Sequence, residues 1–229
     1  MKRRQWIAFA GAGLSLWGVG LRPAQAIGAL TEADATRAIR QALERGAVTA
    51  VSLLGKTDGF LGNPKVRIPL PDYLQDAASL LRRFGQSRRV DELVTSMNRA
   101  AEQAVPEAKT LLVQTAKAVT VDDAIQIVRG GETSVTEYFA AKTRKPLGEK
   151  FLPIITRATE KVSLADKYNA VAERASKFGL VKPEDADLQR YVTAKTLDGL
   201  YLMIGEEERK IRRDPVATGS AILRKVFGS

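Results

Sequence analysis

Apolar residues recur at helical spacing over most of the chain that follows residue 30. The clearest case lies in residues 90–104, where several apolar positions fall on one side of a helix. These positions are Val90, Leu93, Val94, Met97, Ala101 and Ala104. Only Pro106 and Thr120 interrupt the pattern between residues 90 and 131. We therefore expect two or three central helices here, with the rest of the chain packed around them.

Residues that typically start or stop helices divide the remaining chain into further segments. Helices are expected at about residues 31–54, 71–84, 107–118, 122–129, 134–145, 149–162 and 164–178, in a long segment from Pro183 to Arg213, and around residues 222–227. Thr31 and Ser87 are the expected N-caps of two helices, and Pro146 is expected to end another. No pair of strands joined by a hairpin turn is visible. The sequence therefore predicts an all-α single domain of about nine or ten helices.

One segment of the chain is expected to have no helix. Residues 56–71, called the strap below, contain three prolines and two glycines. Their apolar side chains are suited to hold the segment against the body of the domain; they are Phe60, Leu61, Val66, Ile68 and Leu70. Long loops of this kind are often functional or packed down. We expect a packed structural strap here, with a binding loop as the alternative.

The first residues have the pattern of an export signal. Lys2, Arg3 and Arg4 precede an uncharged apolar run, and Ala24-Gln25-Ala26 fits a cleavage site for a signal peptidase. The run of about 16 residues is shorter than the roughly 20 that span a bilayer, which disfavours an uncleaved anchor. We expect residues 1–26 to be a signal peptide, exported by the general or the twin-arginine route. Residues 27–229 would then be a periplasmic or secreted domain.

Composition excludes several classes of chemistry. The chain contains no cysteine and no histidine. Disulfides, thiol catalysis, Ser-His-Asp and Cys-His triads and typical zinc sites are therefore excluded, and neither a metal nor a cofactor is expected. The net charge of +10 falls to +6 without the leader, since Lys2, Arg3, Arg4 and Arg22 lie there. This charge is compatible with an anionic envelope component, and also with an ordinary solvated surface.

The central helix carries a stripe of polar residues beside its apolar side. Asp91, Thr95, Asn98 and Glu102 follow one another at helical spacing. A partly desolvated carboxylate in this stripe could act as a general acid or base, which makes Glu102, Asp91 and Asn98 the catalytic candidates. The simpler interpretation is that Asn98 and Glu102 form hydrogen bonds that fix packing.

Several basic residues are candidates for contact with an anionic partner. They are Arg82, Arg83, Arg88, Arg89, Arg209, Arg212 and Arg213, and the run Lys142, Arg144 and Lys145 is similar. Glu206–Lys210 and Glu208–Arg212 are spaced as ion pairs of a solvated helix. Asp122 and Asp123 fit the first turn of a helix better than a metal site. Aromatic residues do not alternate with the basic ones, so nucleic acid is not an expected partner.

A series of short motifs resembles a known family. In chain order they are Asp58-Gly59-Phe60-Leu61, Asn63-Pro64, Ile68-Pro69-Leu70-Pro71, Met97-Asn98-Arg99-Ala100-Ala101-Glu102, Thr120-Val121-Asp122-Asp123-Ala124, Gly130-Gly131, Thr136-Glu137-Tyr138-Phe139, Asp198-Gly199-Leu200, Glu208-Arg209-Lys210-Ile211-Arg212 and Asp214-Pro215. They resemble the exported bacterial family known as domain of unknown function 4197. The resemblance implies an export signal and an all-helical domain, and it supplies no catalytic residues. Members often carry a lipobox cysteine, which this chain lacks.

Two hypotheses of function from different classes follow. The first is a non-enzymatic helical domain of the cell envelope that binds a partner protein or an anionic component, with membrane contact at most peripheral. The second is a carboxylate-dependent hydrolase of an envelope polymer such as a glycan, which would need two acids about 5–10 Å apart across a cleft. A small apolar ligand held between helices is a third option.

Overall fold

The computed structural model describes residues 32–160, 168–169 and 187–214. These residues include α1 (Glu32–Leu54), α2 (Asp72–Arg83), α3 (Ser87–Ala104), α4 (Ala108–Lys117), α5 (Val121–Arg129), α6 (Ser134–Thr159) and α7 (Leu188–Arg213). A short 3-10 turn, Val105–Glu107, joins α3 to α4. The described part of the chain contains no strand, so the predicted all-α class is confirmed. The predicted count of nine or ten helices is not confirmed.

Some predictions fall on residues outside these ranges. They are the signal peptide at residues 1–26, the Thr31 cap, most of the helix at 164–178, the start of a helix at Pro183 and the terminal helix around 222–227.

Most helix ends lie at the residues that the sequence indicates. α1 ends just before Gly55, and α7 ends just before Asp214. Gly85 follows α2 with φ +75°, a left-handed conformation that glycine adopts at little cost. At the start of α5, the Thr120 hydroxyl accepts from the Asp123 N–H, and the Asp123 carboxylate accepts from the Thr120 N–H. These contacts form a capping box with Thr120 as the N-cap, and they lower the pKa of Asp123.

The prediction that Ser87 caps α3 is wrong by one residue. Gln86 occupies the cap position, makes no side-chain capping bond, and Ser87 is already helical. The turn around Gly85 is so short that α3 starts immediately after it.

The prediction that Pro146 ends a helix is also wrong. α6 runs without interruption from Ser134 to Thr159 and contains both Pro146 and Pro153. Each proline removes the hydrogen bond to the carbonyl four residues earlier. Those carbonyls belong to Lys142 and Glu149, which are exposed residues whose backbone can be hydrated.

Packing explains why α6 continues through its prolines. A stripe of buried side chains repeats every four residues along the helix: Val135, Phe139, Thr143, Leu147, Phe151, Ile155 and Thr159. This stripe packs mainly on α7 and α3. Burial of a continuous apolar stripe outweighs the roughly 3 kcal/mol that a proline costs inside a helix.

The core lies among the four longest of the described helices, which are α1, α3, α6 and α7. α1 packs on α4, α5 and α7, and α6 packs on α3, α4 and α7. The largest fully buried side chains come from several helices and from the strap; they include Phe60, Phe139, Phe151, Leu43, Met97 and Leu112. Phe60 is the strap's main contribution. The strap is therefore part of the core, as the sequence predicts.

Candidate functional site

The strap is bound to α3 by the side chain of Asn98. Its Oδ1 accepts from the Ile68 N–H at 2.8 Å, and its Nδ2 donates to the Ile68 carbonyl at 2.9 Å. Nδ2 also donates to the Val94 carbonyl at 2.8 Å. Asn98 is fully buried, so these bonds satisfy an amide that has no contact with water. The amide thus pairs with Ile68 as a neighbouring β-strand would.

Glu102, one turn further along α3, binds the other end of the strap. Its Oε1 accepts from the backbone N–H groups of Phe60 and Leu61, each at 3.1 Å. Its Oε2 accepts from Arg99 Nη1 at 2.7 Å. The side chain is only 5% exposed, and the three donors compensate for the lost hydration of the charge.

The turn that presents these N–H groups depends on its local sequence. Asp58 has φ +64°, a left-handed conformation that aspartate tolerates better than most residues. Arg99 Nη2 donates to Asp58 Oδ1 at 2.8 Å, so one guanidinium holds both Asp58 and Glu102. A Cβ at Gly59 would lie 2.4 Å from the Leu54 carbonyl oxygen, which leaves room only for glycine.

The other side of the strap lies against α7. The Tyr191 hydroxyl donates to the Pro69 carbonyl at 3.1 Å, and Lys65 Nζ lies 2.9 Å from Glu206 Oε2. A Cβ at Gly199 would lie 2.8 Å from Phe60 Cε1. Gly199 therefore lets α7 approach the Phe60 ring closely. Lys65 and then Arg209 lower the pKa of Glu206 to about 2 through hydrogen bonds to its carboxylate.

The three catalytic candidates do not form one site. Asn98 and Glu102 are buried and engaged with the strap, whereas Asp91 is exposed and paired with Arg82 at 2.8 Å. Eleven positions along α3 separate Asp91 from Glu102, or about 16 Å at the helical rise. Two acids of a glycoside hydrolase lie about 5–10 Å apart. The strap contacts the C-terminal part of α3, so it covers Asn98 and Glu102 and leaves Asp91 exposed.

Glu208 is a second buried carboxylate, and the sequence did not indicate its burial. Glu208 on α7 is 5% exposed and accepts from the N–H groups of Val135 and Thr136, both at 3.3 Å. Arg212 Nε donates to the same carboxylate at 3.0 Å. Glu208 therefore satisfies free N–H groups in the first turn of α6, where a negative charge is favourable. The expectation of a solvated Glu208–Arg212 pair is wrong, although its spacing is correct.

Glu102 and Glu208 share one arrangement. Each accepts from two consecutive backbone N–H groups of a distant segment and from an arginine on its own helix. In both cases the carboxylate is buried and its hydrogen bonds go to groups of the fold. In the described part of the chain, no group of three acidic residues is placed to hold a metal ion.

The basic candidates on α7 are largely engaged within the domain. Arg209 Nη2 lies 2.7 Å from Glu206 Oε1, and Lys210 pairs with Glu207 rather than with Glu206 as the spacing suggested. Arg212 also donates to the Ile127 carbonyl and the Ser134 hydroxyl. Arg213 is exposed at the end of the helix.

The basic candidates between α2 and α3 have different surroundings. Residues 82–89, called the basic tip below, are all exposed and read Arg-Arg-Phe-Gly-Gln-Ser-Arg-Arg. Arg82 pairs with Asp91 and Arg88 with Glu92, in ion pairs open to solvent. Neither Arg83 nor Arg89 makes an ion pair within the described residues. Phe84, between them, is 74% exposed.

A comparison with known protein families decides what the chain is related to. The model of the family described as "Protein of unknown function (DUF4197)" matches residues 29–228. The chain belongs to the DUF4197 family. The resemblance stated from the short motifs is thereby confirmed. No curated protein and no solved structure matches the chain.

Two of the motifs on which the resemblance to DUF4197 rests lie together in the structure. Asp58-Gly59-Phe60-Leu61 forms the strap turn, and Arg99 with Glu102 supplies its partners on α3. The motifs lie about 40 residues apart in sequence and form one network in space. In this DUF4197 member, the network therefore has a structural role, because it joins the strap turn to α3.

A small cavity and an open groove lie among the described residues. A cavity of about 10 Å³, lined in part by Leu43, Ile204 and Glu208, has room for one water molecule rather than an organic ligand. An open groove of about 660 Å³ between α3 and α6 is lined by polar residues such as Ser96, Gln103 and Arg157. Within the described ranges, no helix combines the length and the apolar character needed to cross a membrane.

Proposed function

We propose that this DUF4197 domain is a non-enzymatic binding domain of the cell envelope, and that its basic tip binds an anionic component there. The observation that carries the proposal is the tip itself. It presents four arginines and one exposed phenylalanine on eight consecutive exposed residues.

The distribution of charge supports this choice over the other basic residues. Arg209 and Arg212 on α7 are held by Glu206 and Glu208 in ion pairs within the domain. Arg83 and Arg89 extend from the tip without an ion pair among the described residues. Arginine donors fit carboxylate, sulfate and phosphate groups in a bidentate manner, and an exposed cluster of them attracts such groups.

The buried carboxylates support a binding role over an enzymatic one. Glu102 and Glu208 each accept three or more hydrogen bonds from the protein. A general acid or base must come within hydrogen-bond reach of the substrate, and both residues are only 5% exposed. The export signal expected at residues 1–26 is the basis for placing the domain in the envelope.

The proposal is tested by binding of residues 27–229 to dextran sulfate and to vesicles that contain phosphatidylglycerol. This form retains every described helix and lacks the apolar run of the leader, which would bind vesicles by itself. Affinity is measured at salt concentrations of about 0.05 M and about 0.3 M, because salt screens contacts between exposed charges. We expect binding to at least one of the two ligands, weakened by salt.

A matched pair of double variants separates the tip from general charge. Arg83→Gln/Arg89→Gln is expected to lower affinity at low salt by about tenfold or more. Lys109→Gln/Lys117→Gln removes the same charge from α4, beyond the far end of α3, which is about 27 Å long. An equal loss in both variants, or no binding of the unmodified domain to either ligand, would overturn the proposal.

A further inference from the structure

Phe84 distinguishes the basic tip from an ordinary charged surface. It is the most exposed of the large apolar side chains in the described part of the chain, at 74%. Gly85 follows with φ +75° and has no atom within 4 Å of the place where a Cβ would stand. The turn therefore projects outward, and no other segment among the described residues covers the Phe84 ring.

The charges around Phe84 are arranged in a definite order. Two arginines precede the turn and two follow it, so positive charge flanks the ring on both sides. Asp91 and Glu92 lie further along α3, where they pair with Arg82 and Arg88. The outermost part of the tip thus combines an apolar ring with arginines and carries no acid.

From this arrangement we infer that the anionic component is a phospholipid surface, with Phe84 inserted among the acyl chains and the arginines bound to phosphates. An interfacial site needs apolar side chains for the acyl boundary and basic ones for the head groups. Arginine satisfies both demands, because its methylene stem can lie in the apolar layer while its head stays at the phosphates. The inference rests on the proposed function and names its partner.

The shape of the tip favours a surface over a soluble polymer chain. All eight residues from Arg82 to Arg89 are exposed and lie at the turn between α2 and α3, so the tip presents its side chains to solvent. A sulfated or carboxylated polymer would be recognised by the arginines alone and would leave Phe84 in water. A lipid surface buries Phe84 as well, which explains why an exposed phenylalanine is tolerated at this position.

A single tryptophan can report on the insertion. The chain has two tryptophans, Trp6 and Trp17, and both lie in the expected leader. Phe84→Trp therefore places the only tryptophan of residues 27–229 at the tip. With phosphatidylglycerol vesicles, we expect its emission to shift to the blue and brominated acyl chains to quench it. Dextran sulfate is expected to produce neither effect.

Removal of the ring tests the inference independently of charge. Phe84→Ala is expected to weaken binding to phosphatidylglycerol vesicles by about five- to tenfold and to leave binding to dextran sulfate unchanged. Leu202→Ala is the matched control, because Leu202 is an exposed apolar residue on α7, at 40%. It should change neither affinity.

The outcomes distinguish this inference from the proposed function. If Phe84→Ala binds vesicles as tightly as the unmodified domain, or if the tryptophan emission does not shift, the lipid inference is overturned. Binding to dextran sulfate through Arg83 and Arg89 would then still support the proposed function. If neither ligand binds, both are overturned, and a protein partner becomes the reading to pursue.

Discussion

The side-chain amide of Asn98 forms both of its strap hydrogen bonds with one residue, Ile68. Oδ1 accepts from the Ile68 N–H at 2.8 Å, and Nδ2 donates to the Ile68 carbonyl at 2.9 Å. Ile68 lies in no helix or strand, and the flanking prolines Pro64 and Pro69 have no N–H with which to form one. The amide therefore satisfies backbone groups that would otherwise be buried without partners.

Asn98→Asp tests this relationship. The carboxylate keeps the acceptor for the Ile68 N–H, but it loses both donors and places negative charge against the Ile68 and Val94 carbonyls. We expect a loss of about 2–4 kcal/mol in the free energy of unfolding, measured with urea. Thr95→Ala, at an exposed position of the same helix, should change it by less than about 0.5 kcal/mol. Similar stability of both variants would contradict the role of Asn98.

Glu102→Gln separates a structural role from a catalytic one. The neutral amide can accept from Phe60 and Leu61, but it loses the charge-assisted bond to Arg99. We expect a loss of about 1–3 kcal/mol in unfolding free energy and a lower melting temperature. Asp91→Asn, which breaks an exposed pair, should cost less than about 1 kcal/mol. A biological defect of Glu102→Gln with an unchanged melting temperature would count against the structural role.

Two helical glycines differ in their surroundings and form a matched pair. Gly199→Ala brings a methyl group within 2.8 Å of Phe60 Cε1 and 3.2 Å of Val66 Cβ, so we expect a loss of about 1–3 kcal/mol. At Gly148 the nearest atom, Leu197 Cδ1, is 3.7 Å away. Gly148→Ala should therefore stabilise the protein by up to about 1 kcal/mol, since alanine favours the helix. Urea unfolding measures both, and an equal sign for the two would contradict the close approach of α7 to the strap.

The ion pairs of Glu206 should make stability depend on pH. Hydrogen bonds from Lys65 and Arg209 lower the pKa of Glu206 from 4.5 to about 2 in the folded state. A lowered pKa stabilises the folded state above the ordinary pKa, and this contribution is lost as the pH falls towards the folded value. Glu206→Gln should be less stable than the unmodified domain near neutral pH, and the difference should shrink between pH 4.5 and about 2.

A second variant checks the cause of that dependence. Lys65 is the largest contributor to the lowered pKa of Glu206. In the Lys65→Gln background, the stability difference that Glu206→Gln causes should therefore close at a pH nearer the ordinary value of 4.5. Stability of both variants is followed by urea unfolding at several pH values. A difference between Glu206→Gln and the unmodified domain that does not change with pH would contradict the assignment.

The sequence predicted which residues of α3 belong to the candidate site, but not which groups they contact. The spacing of Asn98 and Glu102 beside the apolar side of α3 indicated partly buried polar groups. Nothing in that spacing indicated that the covering segment is the strap, because the partners lie 30 to 42 residues away. Glu208 shows the same limit more strongly. Its spacing to Arg212 is typical of an exposed helix, and only the approach of α6 buries the pair.

The sequence by itself determined the helical class and most helix ends, because both depend on local causes. Apolar spacing selects the helix, and Gly55, Gly85 and Asp214 stop it within one or two residues. Tertiary structure alone decided that α6 continues through Pro146 and Pro153, and which backbone groups Asn98, Glu102 and Glu208 satisfy. The physical reason is that burial is a property of two surfaces, and the sequence of one segment describes only one of them.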